Sequence, residues 1–178
     1  MLAILQNLRS VHNVGSIFRI ADAASIEKIY LCGTTPLPVD RFGKFRQQFV
    51  KVSLGAEKNV SWEKVSSAAS LIELLKKNDY KIFALEQALK SIPYYKVKIR
   101  AHARPIRVAL VVGNEIKGLS KTILSNAHKI LEIPMRGKTV RHARHPKNQP
   151  REGRNGKESL NVAVVFGIVA FHLINTAK

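Results

Sequence analysis

Three short segments carry the polar residues best suited to hold a ligand. The first is Asn13-Val14-Gly15-Ser16-Ile17-Phe18-Arg19, with an amide and a guanidinium six residues apart. Both point toward one helix end only if Asn13 precedes the first turn. The second is Val111-Val112-Gly113-Asn114-Glu115-Ile116-Lys117-Gly118-Leu119-Ser120, in which an apolar run meets a Gly-Asn-Glu turn and a carboxylate is held on a tight loop. The third begins at Ile133-Pro134-Met135 and resumes at Glu158-Ser159-Leu160-Asn161-Val162. There Ser159 is placed to cap a final helix, and the free N–H groups of its first turn, near Asn161, favour an anion or a polar ligand. Each segment alone also reads plainly as structure: an N-cap with a solvated Arg, a turn, a capped helix. Nucleotide-binding signatures are missing, since no Gly-x-Gly-x-x-Gly follows a strand and no phosphate loop ends in Gly-Lys-Ser/Thr.

The elements that position these segments alternate in period. Leu2 to Leu8 predicts a strand, and Asn13 or a near neighbour caps a helix over Val14 to Ala24 with Ile17, Ile20, Ala21 and Ala24 on one face. Ile29 to Cys32 is a second strand. Gly33 to Asn59 contains Pro36, Pro38, Gly43 and Gly55 and reads mostly as loop; its Arg41, Lys44, Arg46 and Lys51 make it a first candidate polyanion-facing surface. Ser61 is placed to cap a helix through Val65, Ala68, Ala69, Ile72 and Leu75 to Asn78. Strands follow at Lys81 to Leu85, Arg107 to Gly113 and Lys129 to Ile133, with a helix from Ser120 to Asn126 between the last two. Strands this apolar, alternating with helices, predict an α/β domain with a mostly parallel sheet and helices on both faces. All three polar segments then fall at the C-terminal edge of that sheet, where open α/β sheets bind ligands.

Charge narrows the partner. The 178 residues include 30 Lys/Arg and 12 Asp/Glu, a formal net charge of +18, which attracts a polyanion such as nucleic acid or an acidic membrane. The length fits one domain, burying roughly 70 % of the surface its unfolded chain exposes. Cys32 is the one cysteine, which excludes an internal disulfide and any multi-cysteine metal site and fits a reducing, cytoplasmic setting. Met1 to Leu8 lacks the basic flank and cleavage site of a signal peptide. Leu160 to Ile174, broken by Asn161 and His172, is shorter than the ~20 residues a membrane span needs. A basic amphipathic helix, which a membrane binder would carry, is missing as well.

The three segments, in this order, resemble the three sequence motifs of the SpoU-TrmH family of RNA ribose 2′-O-methyltransferases, within the SPOUT superfamily. Asn-Val-Gly-x-Ile-x-Arg at 13 to 19 is similar to its first motif, Gly-Asn-Glu-x-x-Gly-Leu-Ser at 113 to 120 to its second, and Ile-Pro-Met with Ser-Leu-Asn-Val to its third. With the connecting elements, the likeness covers nearly the whole chain. It implies a single-domain α/β knot with a C-terminal trefoil knot that holds S-adenosylmethionine, and a homodimer whose active site takes residues from both subunits. By matching position, Asn13, Arg19, Glu115, Ser159 and Asn161 are the expected catalytic residues. Leu85, Glu86, Gln87, Gly113, Asn114, Ile133, Met135 and Leu160 are the expected cofactor-binding positions.

The resemblance gives these residue types a task. A ribose 2′-hydroxyl is a poor nucleophile, so its proton must be removed or strongly polarised while it is held in line with the methyl donor. The family assigns base action to the equivalent of Arg19. An arginine is effectively always protonated, so clamping a neighbouring phosphate and stabilising the alkoxide is an equal alternative. Asn13 and Glu115 then orient Arg19 or the ribose, and Ser159 assists.

The chain departs from the family pattern between the two halves of the third motif, where a basic insertion, residues 136–158, replaces a short loop. Arg136 to Lys157 holds eight Lys/Arg against one Glu, a net +7, with two Pro, three Gly and almost no large apolar side chain. Such a stretch is suited to an arm that touches phosphates or to a solvated loop. His142 and His145 within it have no further ligand nearby, so no metal is expected. After Asn161-Val162 the family continues with a small Ser and Ala, where this chain has Ala163, Val164 and Val165, a packing change. Transfer RNA is expected ahead of ribosomal RNA, and a non-catalytic RNA-binding protein that kept the fold is the competing reading. Tyr94 and Tyr95 are candidates either for base stacking or for packing.

Overall fold

The apolar runs pair side by side into one sheet. Its strands are β1 (Leu2–Gln6), β2 (Lys28–Cys32), β3 (Ser61–Val65), β4 (Lys81–Leu85), β5 (Ile92–Pro93), β6 (Val108–Val112) and β7 (Lys129–Glu132). The helices are α1 (Val11–Ala23), α2 (Gln47–Ser53), α3 (Ala56–Asn59), α4 (Ala68–Lys77), α5 (Lys121–Asn126) and α6 (Val162–Thr176). The computed structural model describes residues 1–97, 99, 106–135 and 160–176. The strand order is β3-β2-β1-β6-β4-β7-β5, and every neighbouring pair is parallel.

Alternation along the strands sorts the core into two layers. Ala3, Leu5, Ile29, Leu31, Phe83, Leu85, Leu110 and Val112 face one side, under Val14, Ile17, Phe18 and Ala21 of α1 and Phe166, Val169, Ala170 and Leu173 of α6. Leu2, Ile4, Ile82, Ala84, Ala109 and Val111 face the other, under Leu71, Ile72 and Leu75 of α4 and Ile123 of α5. Helices on both faces explain why β6 reads as unbroken Val-Ala-Leu-Val-Val, with every residue buried.

Three expectations are corrected. Ser61 does not cap a helix: Ser61–Val65 is the outermost strand β3, and the helix behind it starts at Ala68, with the Ser67 hydroxyl accepting from the Ser70 amide at 3.2 Å. Only Trp62 and Val65 of β3 are even half-buried, so its period of two is faint and Val65 extends the helical spacing of α4. The segment from Gly33 to Asn59 is less loop than its Pro and Gly suggest, because it contains α2 and α3. No side chain caps either helix, but Phe49 of α2 is buried against Phe18 of α1, ring centroids 5.1 Å apart and edge to face. Finally, α1 is capped by Ser10, whose hydroxyl accepts from the Asn13 amide at 3.2 Å, and this frees the Asn13 side chain.

The connection from β7 to α6, residues 136–159, lies outside the described residues. With it go the basic insertion and Ser159. No helix among the described residues is long and apolar enough to cross a membrane.

Candidate active site

From β1 the chain lays β2 and β3 to one side, then returns so that β6 and β4 lie on the other. The order in which the parallel strands are laid down reverses between β1 and β6, the kind of switch beside which open α/β sheets bind ligands. Glu115, just beyond β6, reaches over to the start of α1. One carboxylate oxygen accepts from Asn13 Nδ2 at 3.0 Å and from the Ser10 amide at 3.5 Å; the other accepts from the Arg9 amide at 3.2 Å. The first turn of α1 has no acidic residue of its own, so Glu115 supplies the negative charge its dipole favours. Burial pushes the Glu115 carboxyl up, but these hydrogen bonds outweigh it and hold the group below the ordinary carboxylate value.

Asn13 passes the connection on. Its Oδ1 accepts from Asn161 Nδ2 at 2.9 Å, and Asn161 Oδ1 in turn accepts from the amides of Ala163 and Val164, capping α6. One chain of side chains thus joins the loop after β6, the start of α1 and the start of α6.

Beside this network, at the ends of β4, β6 and β7, lies a cavity of about 470 Å³. Leu85, Glu86 and Gln87 line it after β4, Gly113 and Asn114 after β6, Ile133 and Met135 after β7, and Leu160 before α6. Glu115 and Glu132 also border it, and among the described residues no Lys, Arg or His does.

The wall after β6 is held tightly. Asn114 Oδ1 accepts from the amides of Ile116 and Lys117, both at 2.9 Å, while its Nδ2 donates to the Asn7 carbonyl at 2.7 Å. Glu86 accepts from the Leu119 amide at 2.8 Å and so closes the far end of the same loop. Gly113 is required by space: a Cβ there would sit 2.8 Å from the Gly118 backbone and from Leu119. Gly118 has a φ of +65° and packs directly on the Glu86 carboxylate.

The structure brings Asn13, Glu115 and Asn161 together, and it gathers all eight expected cofactor positions at one cavity. Arg19 is not among them. It is exposed on α1, about 9 Å along the axis from Asn13 at 1.5 Å per residue, and borders neither the network nor the cavity. Tyr94 packs edge to face on Tyr95 and on His172 of α6, at 5.5 and 5.2 Å between centroids. Sequence reasoning missed Ser10 as the cap, Glu86 as the clamp on the loop after β6, and Glu132 on the cavity rim. A signal for Glu132 existed, because it directly precedes Ile133-Pro134-Met135.

The model of the SpoU rRNA Methylase family matches residues 1–140, more than half of the chain. The chain belongs to the SpoU rRNA methylase family. Over its full length it is 28 % identical to a 23S rRNA (guanosine-2′-O-)-methyltransferase RlmB of Blochmanniella floridana, of which it spans 58 %. The chain thus covers little more than half of that relative. Among solved structures it resembles a TrmH/SpoU tRNA modifying enzyme of A. aeolicus, with a TM-score of 0.74 and 24 % identity over 98 % of this chain and 74 % of that one. It also resembles the SpoU methyltransferase AviRb from Streptomyces viridochromogenes, crystallised in complex with the cofactor AdoMet, with a TM-score of 0.75 and 17 % identity over 98 % of this chain and 59 % of that one. Within this SpoU-family chain the family match stops at residue 140, inside the basic insertion, so α6 and Asn161 lie beyond it.

Proposed function

We propose that the chain transfers a methyl group from S-adenosylmethionine to a ribose 2′-hydroxyl of RNA. The observation that carries this reading is the charge of the cavity: three Glu border it and, among the described residues, no cationic side chain does, on a chain of net charge +18. Such a lining disfavours phosphate and suits a small cation, and S-adenosylmethionine carries both a sulfonium and an ammonium group. The volume of about 470 Å³ falls in the ordinary range for small-molecule sites. Leu85, Ile133 and Leu160 offer apolar surface for the adenosine, and the bare Cα of Gly113 lets the loop after β6 fold back on itself at Gly118 and Leu119 to form the cavity wall. When bound, this group supplies an electrophilic methyl carbon. Among the described residues, the exposed Arg41, Lys44 and Arg46 suit the phosphates of RNA.

The residues then divide the work. Glu115, Asn13 and Asn161 are positioning residues, since their polar atoms are spent on one another and on backbone. Arg19, exposed and protonated, clamps a phosphate and stabilises the developing oxyanion at the ribose. Arg19 does not border this cavity among the described residues, and in this reading it serves the cavity of a second copy. The apolar outer face of α6 supports that homodimer. Val164, Ile168 and Phe171 follow one another at helical spacing with 50 %, 38 % and 42 % exposure, on a helix whose opposite face is the core. The C-terminal knot is supported by the position of β7 between β4 and β5, inside a pair that is consecutive in sequence. Transfer RNA is preferred to ribosomal RNA in this reading, which the likeness to a TrmH/SpoU tRNA modifying enzyme supports.

Incubation with methyl-labelled S-adenosylmethionine and separated tRNA and rRNA tests the reading. Transfer to one RNA class is expected; no transfer to either, with no cofactor binding by calorimetry, contradicts it. RNA binding without cofactor binding would favour the non-catalytic reading. Mixing Arg19→Ala protein with Gly113→Ala protein tests the shared site: two inactive preparations should together regain part of the activity, and failure to do so argues for a site within one chain.

A further inference from the structure

The loop after β2 ends in an exposed tip, residues 41–46. Arg41-Phe42-Gly43-Lys44-Phe45-Arg46 alternates cations with two phenylalanines, contains no acid, and every residue of it is exposed. Phe42 is 72 % and Phe45 42 % exposed. The Arg41 guanidinium lies over the Phe42 ring, 4.7 Å from its centroid.

This tip is folded rather than loose. Asp40 Oδ1 accepts from the amides of Phe42 and Lys44 at 2.8 and 3.0 Å, and the Asp40 amide donates to the Lys44 carbonyl at 2.8 Å. Val39 and Phe45 bridge as antiparallel neighbours, and Arg46 closes the base through its amide to the Pro38 carbonyl and its Nε to the Val39 carbonyl. Gly43 turns the chain with a φ of +78°. The root of the loop is fixed to the candidate active site: Asn7 Oδ1 accepts from the Thr34 amide at 2.9 Å, while the Asn7 carbonyl accepts from Asn114. β2 and β6 are separated by β1 alone, so this root and the cavity wall start about 10 Å apart at strand spacings near 4.8 Å.

An exposed Phe held in place by a folded turn loses little entropy when something packs on it, and the three cations around it exclude a cationic or purely apolar partner. We infer that the Arg41–Arg46 tip is a stacking platform for an unpaired nucleotide of single-stranded RNA. Phe42 presents its open ring face to one base, Arg41 stacks behind it, and Lys44 and Arg46 take the flanking phosphates. A duplex, whose bases are already stacked, gains only the phosphate contacts. The inference rests on the RNA-directed function proposed above and adds which RNA feature this surface selects.

The test is the affinity of the full chain for a fluorescein-labelled oligouridylate and for a GC RNA duplex, measured over a series of KCl concentrations. Phe42→Ala should weaken oligouridylate binding about tenfold and leave duplex binding within about twofold, with an unchanged salt slope. Phe42→Trp should restore single-strand affinity and Phe42→Leu should not, since the first stacks and the second is merely apolar. The exposure of Phe42 makes a folding defect easy to exclude by thermal melting. Oligouridylate binding unchanged in Phe42→Ala, full rescue by Leu, or a change in self-association by sedimentation in place of RNA affinity would each overturn the inference. These outcomes are separate from the cofactor and transfer measurements, which test the function itself and do not involve Phe42.

Discussion

Two loops at the same edge of the sheet use one backbone device for opposite purposes. In the loop after β6, Asn114 Oδ1 accepts from two following amides, an antiparallel bridge joins Asn114 to Gly118, and that glycine has a positive φ. In the loop after β2, Asp40 Oδ1 accepts from two following amides, a bridge joins Val39 to Phe45, and Gly43 has a positive φ. The first is drawn in, by Asn114 on the Asn7 carbonyl and Glu86 on the Leu119 amide, and becomes the wall of a cavity without cations among its described residues. The second stands out, with eight successive exposed residues from Arg41 to Gln48. Side-chain turns hold both loops; what their remaining side chains touch decides whether the loop walls a cavity or stands out as a basic, exposed tip.

Substitutions should separate the two loops. The largest effect is expected of Gly113→Ala. The added methyl meets backbone at 2.8 Å, so cofactor binding should be lost and stability fall by about 1–3 kcal/mol, while oligouridylate binding at the tip persists; calorimetry and denaturant unfolding read the two. Removing the turn-forming side chains comes next. Asn114→Ala leaves two exposed amides to water but strands the part-buried Asn7 carbonyl and should cost about 1–3 kcal/mol, whereas Asp40→Ala, among exposed groups that water can satisfy, should cost about 0.5–1 kcal/mol. Equal shifts in urea midpoint would erase the contrast.

A smaller effect is expected of Glu115→Gln. A carboxyl held below its ordinary value favours folding in its ionised form, so its contribution is full above the unfolded value and fades as pH falls through the folded one. The variant should therefore be less stable than the parent at neutral pH, by about 1 kcal/mol, and the two should converge in acid. A constant difference across pH would remove the carboxylate from the account. Smallest is the salt effect: Arg41→Ala with Lys44→Ala should reduce the slope of log affinity against log salt for single-stranded RNA by about 0.7 for each phosphate that is no longer neutralised.

Much of this arrangement can be read in the sequence, for identifiable reasons. The central strands announce themselves because helices cover both their faces and leave unbroken apolar runs, as in Val108–Val112. The three polar segments announce their location because strand ends are where such sheets bind. Edge elements are faint: β3 mixes its signal with α4, and α2 has no cap and owes its place to Phe49 under α1. Capping is equally hard to read at one-residue precision, since Ser10 and Asn13 are both good caps and only the structure shows which hydroxyl or amide is free. Arg19 illustrates a different limit. A linear motif pairs it with Asn13, yet a helix rotates residues six apart well away from one another. The proposed use of Arg19 brings in a second chain, which no single-chain pattern contains.

Methyl transfer to ribose leaves its mark in the product nucleoside. RNA treated with the protein and S-adenosylmethionine, digested to nucleosides and resolved by mass spectrometry, should contain a 2′-O-methylated nucleoside that is missing from Arg19→Ala reactions. A methyl group on a base, or no methylated nucleoside although the cofactor binds, would contradict the account.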